Sequence, residues 1–160
     1  MPESAPPSAA DLLAMIPYAA TLGITVDEAT PQRTRGRLPW SPGLCTTGGA
    51  MNGGAIISLA DNIGALCAFL NLPAGAGTAT VDSATNFFRG LREGTLHATA
   101  RPLHVGRSFI VVRTDLTDDQ DRQIGQTTQT QAVLAPRPGE CCVEVHARLP
   151  SHEAHGGARR

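Results

Sequence analysis

Between Ala55 and Leu70 the only polar side chains are Ser58, Asp61 and Asn62. This run constrains the fold more than any other stretch of the chain. A helix that is apolar nearly all round has to be buried, so the rest of the chain must wrap it. A carboxylate inside such a helix must be paired, hydrogen-bonded or at work, because burying a bare one is costly. Gly53 and Gly54 open the helix. A helix start leaves backbone N–H groups without partners, at the end where the helix dipole favours negative charge. An anion-stabilising helix end and an isolated acid on one helix point to acyl-transfer chemistry.

On either side of the helix the pattern changes. Residues 1–8 are rich in Pro, Ser and Ala and read as a loose tail. Ser8 is placed to cap a short helix over Ala9–Tyr18, with Asp11 in its first turn. Ile24–Ala29 and Arg33–Leu38 predict two strands around a turn at Thr30-Pro31-Gln32. Ser41–Gly49 reads as a loop, and the central helix ends near Asn71 and Pro73. The period then becomes two, predicting strands over Thr78–Phe88, Thr95–Leu103, Ser108–Thr117 and Ile124–Leu134. Asp118-Asp119-Gln120-Asp121 is a polar hairpin loop, and Cys142–Leu149 is a further candidate strand. Consecutive strands with short connections favour an antiparallel sheet. The expected fold is therefore α+β, one domain over residues 9–149 with an antiparallel sheet wrapped around one long helix, and residues 150–160 as a second loose tail.

Composition removes several mechanisms. At 160 residues the chain is long enough for one domain with a substantial core. All 13 basic residues are arginine, which excludes a Schiff-base lysine and a phosphate-loop lysine. A net charge of −1 gives no reason to expect nucleic acid or a membrane surface as partner. Cys45, Cys67, Cys141 and Cys142 show no metal-ligand spacing, and the five histidines are too scattered for a metal site. No Gly-x-Ser-x-Gly elbow is present, which argues against a serine hydrolase. With no secretory signal and no apolar run of spanning length, the expected setting is the cytoplasm.

Four motifs in order carry a family resemblance. Asn52-Gly53-Gly54 opens the helix and Leu59-Ala60-Asp61 lies two turns on; Thr80-Val81-Asp82 with Asn86-Phe87-Phe88-Arg89 follows on the next strand; Gly106-Arg107 precedes a Val-rich strand. In this order they resemble the hotdog-fold acyl-CoA thioesterases, specifically the phenylacetate-degradation type, over about Met15 to Leu134. The resemblance implies a homodimer with its sheets joined edge to edge, often paired again into a homotetramer, and a substrate channel at the subunit interface. It also implies coenzyme A as part of the substrate, with no further cofactor and no metal. Gly53 and Asp61 are eight residues apart on one helix, so about 12 Å separates them. A thioester carbonyl can meet both only if they come from two chains.

The resemblance assigns roles residue by residue. The Gly53 N–H would bond the thioester oxygen as charge develops, the alternative being that the glycines only permit close packing. Asp61 would activate water or attack the carbonyl itself; the alternative is a buried acid satisfied by Ser58 or a backbone donor. Gly54, Thr80 and Asp82 would line the site, the alternative for Thr80 and Asp82 being pairing within the sheet; Gly64 and Ala65 share the Asp61 face and either leave room for an acyl chain or permit close helix–helix or helix–sheet contact. Arg107 is a candidate for a CoA phosphate, with Arg89 behind it. Two positions depart from the family pattern. Asn52 replaces its usual histidine, and Thr46 or Thr47 stands where relatives place an Asn or Gln. These replacements keep open a second reading, a hotdog protein that binds acyl-CoA or another small ligand without hydrolysing it.

Overall fold

The computed structural model describes residues 9–135. The candidate strand Cys142–Leu149, the cysteines Cys141 and Cys142, and both expected tails lie outside the described residues. The N-terminal helix is two helices, α1 (Ala9–Ala14) and α2 (Pro17–Leu22), rather than one. Pro17 is the cause: its ring disfavours helical geometry at the preceding residue, and Ile16 takes φ −121°, ψ 84°. Strands β1 (Thr25–Ala29) and β2 (Thr34–Pro39) form a hairpin, closed by Thr30 and Arg33 exchanging backbone hydrogen bonds of 3.0 and 3.2 Å. A short 3-10 turn at Pro42–Leu44 interrupts the loop that follows.

Helix α3 runs from Gly53 to Phe69, with its cap at Asn52 three residues before the apolar run begins. Beyond it come β3 (Gly77–Phe87), β4 (Thr95–Val105), β5 (Phe109–Thr117) and β6 (Gln123–Leu134). All pairings are antiparallel and the sheet order is β1-β2-β4-β5-β6-β3. The expected α+β arrangement of one sheet around one helix is present. Its topology is less simple than consecutive hairpins. The chain crosses the sheet as α3, so β3 emerges at the far edge and pairs with β6, the last strand among the described residues.

The core lies between α3 and the concave face of the sheet. Leu38, Leu96, Ile110, Val112 and Ile124 meet Ile56, Leu59, Ile63 and Cys67 there. In β5 the inward positions Ile110, Val112, Thr114 and Leu116 are buried and alternate with partly exposed outward residues. The inner face of β6 is different in kind: Thr127, Gln129 and Gln131 are all buried. Among the described residues edge strand β3 has a partner on one side only, and Val81 and Phe87 on it are 56% and 49% exposed. No helix among the described residues is long and apolar enough to cross a membrane.

Candidate active site

The start of α3 is built to leave one amide free. Asn52 takes extended backbone, and its side-chain Oδ1 accepts from Gly54 N at 2.7 Å. Its own N–H donates to Leu44 O at 2.7 Å, and its carbonyl accepts from Ala55 and Ile56 at 3.0 and 3.2 Å. Gly53 N–H has no partner among the described residues. A Cβ on Gly53 would stand 3.3 Å from Phe87 Cζ, so the ring at the end of β3 lies against the helix start. Asn52 and Gly54, expected as substrate contacts, thus satisfy each other and leave Gly53 as the open donor.

Two turns along, Asp61 is half-buried on the side of α3 that faces β3 and β6. Burial pushes its carboxyl above the ordinary carboxylate value, and the Thr80 hydroxyl pulls it part of the way back. Thr80 Oγ1 donates to Asp61 Oδ1 at 3.5 Å, and Gln129 Nε2 approaches the same oxygen and the Asp61 carbonyl at 3.4 Å. Gln131 Nε2 donates to Thr80 Oγ1 at 2.8 Å. Ser58 does not satisfy Asp61: its hydroxyl donates to Gly54 O at 2.8 Å and meets Tyr18 Oη at 3.1 Å.

One turn beyond Asp61, Ala65 opens onto an apolar groove of about 200 Å³, lined by Leu12, Met15, Ile16, Leu66, Phe69 and Thr78. Gly64 contributes no open space, because the Gln129 amide fills it. A Cβ on Gly64 would lie 2.7 Å from Gln129 Cδ, nearer still to Oε1, and 3.2 Å from Thr114 Oγ1. At the other end, beyond Phe87, Arg89 faces a polar cleft of about 540 Å³ shared with Arg92 and Arg122. Arg122 is held by Asp118 at 2.7 Å and Arg92 by the Gly48 carbonyl, whereas Arg89 has no partner among the described residues.

The remaining candidates lie apart from Asp61 within the chain. Thr46 and Thr47 are exposed in the loop before α3, and Thr46 Oγ1 accepts from Gly48 N at 3.3 Å. Asp82 is exposed on β3, just past a bulge in its pairing with β6. Arg107 is exposed in the β4–β5 turn, with no bond to Asp61, Gly53 or Thr80. Gln129, Gln131 and Phe87 were not anticipated as site residues. Phe87 stood within a recognised motif, but the glutamines sit in a strand that is polar on both faces and gave no signal of which side turns inward. No group of three or more His, Cys, Asp or Glu side chains able to hold a metal occurs among the described residues.

Comparison with known proteins agrees with this architecture. The family model described as the thioesterase superfamily matches residues 48–124. A Mycobacterium tuberculosis protein named as a candidate esterase is 30% identical over 139 residues, covering 85% of this chain and 99% of its own. Its solved structure superposes with a TM-score of 0.74 at 29% identity, over 77% of this chain and all of that one. The 1,4-dihydroxy-2-naphthoyl-CoA hydrolase of Escherichia coli is 26% identical over 110 residues, 69% of this chain and 75% of that protein. A thioesterase structure from Haemophilus influenzae shares the fold, with a TM-score of 0.79 over 88% of this chain and 100% of its own at 22% identity. This chain belongs to the thioesterase superfamily and has its hotdog fold.

Proposed function

We propose that this protein hydrolyses an acyl-CoA thioester to the free acid and CoA, with Asp61 and Gly53 at the reacting carbonyl. The observation that carries the reading is Asp61 itself, a half-buried carboxylate set between a free helix-start amide and an apolar groove. As general base it takes a proton from water while the water oxygen bonds to the thioester carbon. The C–S bond then breaks and the proton passes to the CoA thiolate. As nucleophile, a carboxylate oxygen bonds to the carbon and expels CoA, and water hydrolyses the resulting mixed anhydride. In either route charge develops on the carbonyl oxygen, where the Gly53 N–H of the helix start stabilises it.

The two groups act together across a dimer. They are about 12 Å apart along α3, and the edge of β3, unpaired among the described residues, is the natural contact for a second copy. Asp61 lies by Thr80, and Gly53 lies by Phe87. An antiparallel pairing of two β3 strands centred near Ser83 and Ala84 sets Thr80 opposite Phe87 of the partner subunit. Asp61 then faces Gly53 of the partner subunit. The groove beyond Ala65 takes the acyl group, and Arg107 or Arg89 meets a CoA phosphate, with the polar cleft beside Arg89 in favour of the second. The E. coli relative, a CoA-thioester hydrolase by name, supports this substrate class.

The test is CoA release from a panel of aryl- and alkyl-CoA thioesters by wild type, Asp61→Asn and Gly53→Pro. Proline suits the first helical position and removes the free N–H, while its ring presses on Phe87, so Gly53→Ala, which adds the same Cβ and keeps the N–H, is the control. Asn52 already has the extended backbone a following proline requires. Turnover that collapses in Asp61→Asn and falls by about 100-fold or more in Gly53→Pro fits the reading. CoA affinity without turnover in wild type would favour the binding protein instead.

A further inference from the structure

Gln129 and Gln131 are 0% and 1% exposed, on the face of β6 that packs against α3. Packing alone does not account for them. A buried amide is tolerated only when hydrogen-bonded, and Gln129 Oε1 has no partner among the described residues. Leucine would fill the same volume without leaving an acceptor unpaired. What the two side chains have in common is the direction of their donors. Gln129 Nε2 points at Asp61, and Gln131 Nε2 points at the hydroxyl that points at Asp61.

The order of these bonds fixes proton positions. Thr80 has a single hydroxyl proton. The Gln131 amide donates to Thr80 Oγ1 at 2.8 Å, which leaves the Thr80 proton directed at Asp61 Oδ1. The Thr78 hydroxyl lies 3.1 Å from both Gln131 Oε1 and the Ala132 carbonyl and shares its one proton between them, which is compatible with the Gln131 amide in this sense. Gln129 adds a second donor to the same Asp61 oxygen. Both donors fall on Oδ1, and among the described residues none reaches Oδ2. Gly64 makes the arrangement possible, since any side chain there would displace the Gln129 amide.

We propose that Thr80, Gln131 and Gln129 are positioning residues that anchor Oδ1 of Asp61 and reserve Oδ2 as the oxygen that meets the thioester or its attacking water. The proposal rests on the reading of Asp61 as the reacting acid. Burial still raises the Asp61 pKa, and the Thr80 hydroxyl offsets part of that rise. Other charges stand away from the carboxylate. β6 carries no charged residue, and Arg35, Arg37, His97, Arg101, Arg113 and Asp115 lie on the outer face of the sheet. His104 is at the exposed end of β4, Tyr18 of α2 is bonded to Ser58, and Asp82 is exposed on β3.

The experiment measures kcat and kcat/KM against pH for Thr80→Val, Thr80→Ser, Gln131→Met and Gln129→Met beside wild type and Asp61→Asn. Thr80→Val, Gln131→Met and Gln129→Met are expected to lower kcat by about tenfold and to move the acid limb of kcat/KM up by about one pH unit. KM should stay within about twofold, because none of these groups binds the substrate. Thr80→Ser keeps the hydroxyl and should restore both values. Thr80 is exposed, so Thr80→Val carries the test even if a core glutamine variant fails to fold. Profiles that superimpose on wild type, with Asp61→Asn inactive, would overturn the network and leave the thioesterase reading standing. Turnover surviving in Asp61→Asn would overturn both.

Discussion

Replacing Gly64 by alanine is the sharpest probe of how α3 and β6 fit together. In an ordinary helix interior this change stabilises by about 1 kcal/mol, through backbone entropy. Here the added methyl would stand 2.7 Å from Gln129 Cδ, more than half an ångström inside normal contact. Gln129 must swing away, and its two long bonds to the Asp61 backbone and side chain are lost. Overpacking of this kind costs about 1–3 kcal/mol, and each weak hydrogen bond adds less than about 1 kcal/mol. The expected balance is a net destabilisation of about 1–2 kcal/mol. With Gln129→Ala in the background the nearest obstacle is gone and only the Thr114 hydroxyl at 3.2 Å has to give, so the same methyl should stabilise by up to about 1 kcal/mol. The two changes are therefore coupled by about 1–3 kcal/mol, read as urea midpoints of the four proteins at one fixed concentration. A Gly64→Ala protein more stable than wild type, or two effects that add, would refute this packing.

Other consequences concern the acid, the edge strand and the groove. Burial raises the Asp61 pKa in the fold, so the stability tied to its protonation is present in acid and lost as pH rises through the folded value. Asp61→Asn should therefore keep or raise the melting temperature at neutral pH while abolishing turnover; a marked loss of stability would argue for a structural acid. For the same reason the acid limb of wild-type kcat/KM should lie above the ordinary aspartate range, and a limb at or below that range would contradict the burial of the reacting carboxylate. Val81→Glu puts a charge on the free edge of β3 beside Asp82 and should yield monomers by light scattering, with turnover lost alongside. A fully active monomer would be incompatible with a shared site. Ala65→Phe should narrow the groove so that kcat/KM falls by about tenfold or more for long or bulky acyl groups and little for acetyl-CoA; equal effects on all acyl groups would move the acyl site elsewhere.

Much of this was legible in the sequence, and the rest fails for physical reasons. The apolar run from Ala55 marked α3 as the buried element, and the alternation in Ser108–Thr117 resolves cleanly once Thr114 is counted inward. Pro17 carried enough information to split the first helix, since it acts on the residue before it. The pairing of β3 with β6 rather than β4 was not readable, because hydrophobic period marks a strand but not its neighbour. The surroundings of Asp61 were hidden in a similar way. Ser58 was the local candidate by helical spacing, but its hydroxyl is taken by the Gly54 carbonyl. The groups that do reach Asp61 come from β3 and β6, far away in sequence. In β6, with Gln and Thr on both faces, side-chain polarity could not say which way Gln129 and Gln131 turn.

The claim at the centre of this account is that each site takes Gly53 from one chain and Asp61 from another. Mixing Asp61→Asn with Gly53→Pro subunits, unfolded together and refolded, tests it directly. A mixed dimer holds one site with both defects and one site with neither. Random pairing at equal amounts should then recover about a quarter of wild-type turnover from two proteins that are each nearly inactive. Recovery near that level is the predicted result, and no recovery from verified mixed dimers would contradict the shared site.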